Sequence, residues 1–182
     1  IGLASLPFFK TQFIPPLHEG HFIMHMTAFP GTSESESIRI GNKVSKKILG
    51  IQGVKSVAQW VGRSPLGADT FGTHYSEFEI ELDNLNGNEQ DNVLKKIRRL
   101  VQAQDEDGLI KTEGFVGVNF AINTFLTERI EETISGYNAS IVINIFGDNL
   151  NSLDQDAQKI THVLRKINGA SDVMLQSPPG TP

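Results

Sequence analysis

The stretch HFIMHMTAF, residues 21–29, lies between Pro15-Pro16 and Pro30-Gly31, and its conformation decides what the neighbouring segments can form. On a helix, His21 and His25 are one turn apart and could share a metal ion. On a strand they face the same way but stand about 13 Å apart, at ~3.3 Å per residue. The flanking prolines and glycine close the segment at both ends and predict a strand. The two histidines therefore do not hold one ion between them. Phe22, Met24, Met26 and Ala28 take the opposite, core-facing side. A histidine of this strand is a ligand only if distant segments supply its partners.

Working outward, Ser33-Glu34-Ser35-Glu36 opens a helix, with Ser33 as N-cap and Glu36 three residues on completing a capping box. Ile40, Val44, Ile48 and Ile51 follow at helical spacing, and Gly53 ends it. VKSVAQWVG (54–62) is a second strand, followed by the Gly/Pro-rich loop RSPLGADTFG (63–72). HYSEFEIELD (74–83) alternates: Tyr75, Glu77, Glu79 and Glu81 share one face, and Phe78, Ile80 and Leu82 the other. A turn at NLNGN leads into a helix with the stripe Val93, Leu94, Ile97, Leu100 and Val101, and GFVGVNFAIN (114–123) is a fourth strand. The order β-α-β-β-α-β is that of a ferredoxin-like α+β domain.

A second, incomplete unit follows. TERIEETISG (127–136) is a short helix, SIVINIFGD (140–148) a buried strand, 151–168 a helix stopped by Gly169, and SDVMLQ (171–176) a last strand. KILGIQGVKSV (47–57) echoes VLRKINGASDV (163–173), each a helix end, a glycine and a strand start. One β-α-β cannot complete a sheet by itself, so the repeat is expected to continue beyond Pro182. Until then its open sheet edge is expected to drive self-association.

Composition limits the function classes. With 38% hydrophobic and 20% charged residues, the chain is globular. The net charge of −5 and the helical spacing of KKIRR (95–99) argue against a nucleic-acid partner. Cysteine is absent, which removes disulfides, thiolate ligands and cysteine catalysis. No run approaches the ~18 apolar residues of a membrane span, although IGLASLPFF (1–9) has the character of the end of one. No Ser-His-Asp order, phosphate loop or HExxH helix appears, so an enzyme is not expected. His25 is left with three acidic candidates: Asp69 in the glycine-rich loop, Glu77 on the polar face of the third strand, and Glu132 on the short helix. On the residues alone, each of the three reads first as a solvated surface acid.

Together these motifs resemble the heavy-metal efflux branch of the resistance-nodulation-division (RND) transporter superfamily. The resemblance rests on FIPPLHEGHF with its Glu19-Gly20 pair, on Pro30-Gly31-Thr32-Ser33 before the first helix, and on Gly62-Arg63 after the second strand. ERIEETISG leading to a strand that ends in Gly147-Asp148-Asn149-Leu150 adds a further motif, and the likeness runs from about residue 10 to 178. It implies a piece of the second periplasmic loop of a proton-driven pump. Residues 1–17 would end a membrane helix, 18–125 form the first porter subdomain, and 126–182 the first half of the next. It further implies a homotrimer in the inner membrane, joined to a periplasmic adaptor and an outer-membrane channel. This piece would lie on the periplasmic side, with no resident cofactor. In the copper and silver branch a methionine cluster lines the cleft between these subdomains, at positions matching His25, Tyr75 and Glu132. Asp69 and Glu77 match acidic positions of the same cleft. Imidazole and carboxylate at His25, Asp69, Glu77 and Glu132 imply a divalent cargo such as zinc, cobalt, nickel or cadmium rather than a soft monovalent ion. A one-residue bulge that brings Met24 or Met26 into the cleft would reverse that choice. Much of the same pattern also fits a drug-exporting relative, with Phe71, Tyr75 and Phe125 lining its pocket, or a stand-alone ferredoxin-like ligand-binding domain.

Overall fold

The computed structural model of the protein describes residues 17–62, 71–102, 115, 117–136 and 139–175. The described elements are β1 (His21–Thr27), α1 (Glu34–Leu49), β2 (Val54–Val61), β3 (Tyr75–Leu82), α2 (Gly87–Val101), β4 (Asn119–Thr124), α3 (Phe125–Ser135) and α4 (Leu150–Leu164). The strands form an antiparallel sheet in the order β2-β3-β1-β4. HFIMHMT is thus a central strand, paired on both sides.

One face of the sheet carries the core. Phe22, Met24 and Met26 of β1, Phe78, Ile80 and Leu82 of β3, and Ile122 of β4 pack with Val44 and Ile48 of α1 and Val93, Ile97 and Val101 of α2. Burial of each large side chain contributes about 1.5–3 kcal/mol. β1 keeps a continuous register with both neighbours, Met24 opposite Phe78 and Ile122, and Met26 opposite Ser76 and Phe120. The bulge that would turn a methionine outward does not form, and both methionines are fully buried in the core.

The helix starts follow the sequence signals in part. Ser33 caps α1 by accepting from the Glu36 N–H at 3.3 Å. The Glu36 carboxylate turns to Arg39 rather than back to Ser33, so the expected box is half made. The full reciprocal box occurs instead at α2, between Asn86 and Glu89. α1 sits close to β2 at Gly41, where an added Cβ would fall about 2.0 Å from the Gln59 amide. That amide donates to the Ser37 carbonyl and to the Ser76 hydroxyl, so the small residue makes room for a bridge from β2 to the helix.

The second unit departs from expectation. β4 begins only at Asn119, five residues after the predicted start. No strand forms among the described residues of 139–148, where Ile141 is 81% and Phe146 89% exposed. Isoleucine and valine favour a strand only when another strand supplies hydrogen bonds and a packing face. The sheet edge expected at 139–178 is accordingly not present in the described residues. α4 starts at Leu150, capped by the Asn149 side chain, and ends at Leu164 rather than 168. Residues 171–175 form no strand either. Instead Asp172, at φ 55°, accepts from the Ile122 N–H on β4 and pairs with Arg98, whose guanidinium donates to the Ile122 carbonyl. Both backbone groups of Ile122 are thus satisfied by side chains.

Candidate metal centre

His25 lies on the face of β1 opposite the core. Its cross-strand neighbours are Glu77 on β3 and Ala121 on β4, and Trp60 of β2 stands beyond Glu77. This face is covered at β1 and β4 because α3 begins directly after β4 and packs back over both strands. The turn is fixed by the Thr124–Thr127 hydroxyl contact at 2.7 Å and by the Glu19 carboxylate, which accepts the Leu126 N–H at 2.6 Å. An anionic group at an exposed helix N-terminus satisfies orphan donors and the helix dipole together. The fold-back delivers Glu128, in the first turn of α3, onto His25.

The resulting cluster is tight. The His25 Nε2 lies 2.8 Å from Glu128 Oε2, and its Nδ1 lies 4.0 Å from Glu77 Oε2. The Tyr75 hydroxyl hydrogen-bonds Nδ1. One ligand atom each from His25, Glu77 and Glu128 can be chosen so that all lie within 4.8 Å of one another. Ligands around an ion at ~2.1 Å stand about 3–4 Å apart, so a modest contraction would close the three on a metal. His25 is 5% and Glu128 1% exposed, whereas Glu77 is partly open to solvent. Burial raises the Glu77 carboxyl above its ordinary value, the nearby His25 opposes the rise, and the negative Glu128 adds to it. Two carboxylates crowded beside one imidazole form a site that is more comfortable with a cation than without one.

The predicted residues separate. His25 and Glu77 come together. Glu132 does not join them: one turn beyond Glu128, it is exposed and pairs with Arg129 at 3.0 Å. Asp69 lies outside the described residues. The residue missed is Glu128. A start of α3 at Thr127 puts Glu128 at a helix terminus, whereas the helix starts at Phe125. Glu128 and Glu132 are one turn apart, so the spacing marks the right face of α3, and the turn nearer β4 is the one that reaches β1.

A four-stranded antiparallel sheet with helices on both faces, bearing an imidazole and two carboxylates under α3, defines a mixed α+β domain with a metal-site candidate. The chain belongs to the AcrB/AcrD/AcrF family, whose model matches residues 2–182. It is 26% identical over its full length to the nickel and cobalt resistance protein CnrA of Cupriavidus metallidurans. It is 28% identical, over 94% of its length, to the cobalt-zinc-cadmium resistance protein CzcA of the same species and to the protein HelA of Legionella pneumophila. The chain spans 16% of the length of each of these relatives. Its fold superposes on part of a heavy metal efflux pump solved by X-ray crystallography, with a TM-score of 0.74, 20% identity, and coverage of 88% of this chain and 16% of that one. A second crystal form gives a TM-score of 0.70. No helix among the described residues is long and apolar enough to cross a membrane.

Proposed function

We propose that this chain is a porter segment of a proton-driven heavy-metal efflux pump, and that His25, Glu77 and Glu128 take its divalent cargo in transit. The observation that carries the reading is the convergence of these three side chains, from two strands and a helix, on the covered face of the sheet. Family membership and resemblance to metal-resistance proteins support the transport role. Nitrogen and carboxylate oxygen suit borderline divalent ions, and Met24 and Met26, whose sulfur a soft monovalent ion would prefer, are buried on the other face. A drug-exporting role is less favoured: among the described residues Phe71 stacks on Tyr75 and Phe125 on His21, near opposite ends of β1.

In this reading residues 18–125 are a ferredoxin-like porter subdomain, supported by the β-α-β-β-α-β order and the strand order β2-β3-β1-β4. Residues 126–182 begin the next subdomain, and α3 brings its Glu128 across the boundary. A cargo ion would thus be held by groups from both units, with partly exposed Glu77 as the point of entry. Movement of α3 away from β1 would pull Glu128 from the ion and weaken the site, as export requires. The working assembly is a homotrimer on the periplasmic side of the inner membrane, with adaptor and outer-membrane channel partners, and the chain performs no catalysis of its own.

The test is resistance in cells lacking their own exporters, expressing the full-length protein. Glu128→Ala and His25→Ala are expected to lower survival in zinc, cobalt, nickel or cadmium, with Glu132→Ala close to wild type. Protection by wild type against copper or silver alone overturns the ligand assignment. So does a Glu128→Ala variant that protects as well as wild type against every divalent ion.

A further inference from the structure

His25 is the imidazole of the cluster, and each of its ring nitrogens has a partner of different chemistry. Nε2 meets the Glu128 carboxylate at 2.8 Å, and Nδ1 meets the Tyr75 hydroxyl. We propose that Tyr75 is the positioning residue of this centre: its hydroxyl occupies Nδ1 and thereby dedicates Nε2, on the Glu128 side, as the metal-ligating atom. The inference rests on the proposed metal site for its purpose, but not for its geometry.

A carboxylate oxygen accepts hydrogen bonds, so the neutral tautomer that fits this geometry carries its proton on Nε2, toward Glu128, and leaves Nδ1 to accept from the phenol O–H. Glu77, at 4.0 Å from Nδ1, is too far to take that place. Tyr75 faces Thr27 across the β1–β3 pair, two residues along from His25, which sets its ring diagonally beside the imidazole on one sheet face. The rings stack at 5.7 Å between centroids, and Phe71 backs Tyr75 at 4.0 Å. When an ion takes the Nε2 lone pair, the ring proton must sit on Nδ1. The same phenol oxygen then accepts from Nδ1–H, reversing the direction of the bond without moving either ring. A hydroxyl serves both states. A carboxylate at this position would favour only the metal-bound one, and phenylalanine would serve neither.

Long-range 15N–1H correlation spectra of the labelled 182-residue chain at neutral pH test this, because they distinguish the two neutral imidazole tautomers. The His25 signals are assigned by their loss in His25→Ala. Metal-free wild type is expected to show His25 protonated at Nε2, and zinc should move the proton to Nδ1. Tyr75→Phe should keep the Nε2–H tautomer, which Glu128 sets, but shift the Nδ1 resonance as its phenol donor is lost, and weaken zinc binding about 10–100-fold, the usual effect of losing a partner behind a ligating histidine. A merely structural Tyr75 would leave the Nδ1 resonance and the zinc affinity unchanged. Nδ1–H in metal-free wild type overturns the proposal, as does an Nδ1 resonance in Tyr75→Phe identical to that of wild type. The wild-type tautomer remains a test if the variant does not fold. Wild type with the expected tautomer but no zinc affinity refutes the metal-site reading and leaves the role of Tyr75 standing.

Discussion

Replacing Glu128 with alanine probes the contact on which the candidate centre depends. The carboxylate accepts from His25 at 2.8 Å, and both side chains are almost wholly buried. A hydrogen bond to a charged group contributes about 1.5–3 kcal/mol net, and its removal takes this acceptor from a buried imidazole. Two terms oppose this loss. The carboxylate no longer has to be desolvated, and its repulsion of Glu77 disappears. The balance is an expected destabilisation of about 1–3 kcal/mol, or roughly 2–12 °C in Tm at about 2–4 °C per kcal/mol for a chain of this size. Calorimetry would measure it, with a double-mutant cycle through His25→Ala expected to give a coupling of about 0.5–3 kcal/mol. Glu128→Leu supplies the contrast. It fills the same space without charge but still takes the acceptor from His25, so it should recover only part of the lost stability while losing ion binding. Glu132→Ala breaks only an exposed pair with Arg129 and should cost no more than about 0.5 kcal/mol. If Glu128→Ala is as stable as wild type and the cycle shows no coupling to His25, α3 does not hold Glu128 where the centre needs it.

Two further perturbations test the frame around the site. Gly41→Ala should cost about 0–2 kcal/mol in urea unfolding, because the new methyl pushes the Gln59 amide off the Ser37 carbonyl and the Ser76 hydroxyl while alanine's helix propensity offsets ~1 kcal/mol. Gln59→Ala in the same chain should remove the clash. Asp172 has its carboxyl raised above its ordinary value, chiefly by burial, with Arg98 and the Ile122 N–H pulling the other way. The folded state therefore keeps this proton at a pH where the unfolded chain has released it. From about pH 3.9 up to the folded value the folded state binds more protons, so this group makes stability fall as pH rises. Asp172→Asn should remove that slope, and unfolding free energies of both forms measured from about pH 4 to 7 would show whether the difference changes over the acidic part of the range.

The fold was legible wherever burial acts within a short window. The alternation in HYSEFEIELD reports a sheet with one core face, and Val93, Ile97 and Val101 at helical spacing report the helix that covers it. Prolines on both sides of HFIMHMTAF exclude the helix, and with it the local histidine pair. The second unit misleads for the same reason that the first reads well. SIVINIFGD has the composition of a buried strand, but composition states only what a segment can do when a partner strand is present. The site was half legible. His25 and Glu77 are opposite one another because a strand fixes direction and register together. The third group arrives through a helix whose start decides which turn lies over the sheet, and helix boundaries are the least local feature of a sequence. Glu132 sits on the same face of α3 as Glu128 but one turn, about 5.4 Å, farther along the axis. That distance exceeds any adjustment of a ligand shell whose atoms already stand within 4.8 Å. The choice between the two acids therefore rests on the fold-back at Thr124–Phe125 rather than on chemistry, since both are glutamates. It also explains why an anionic cap from Glu19, far away in sequence, matters to the centre: by holding the first turn of α3 at Leu126, it holds Glu128 two residues later.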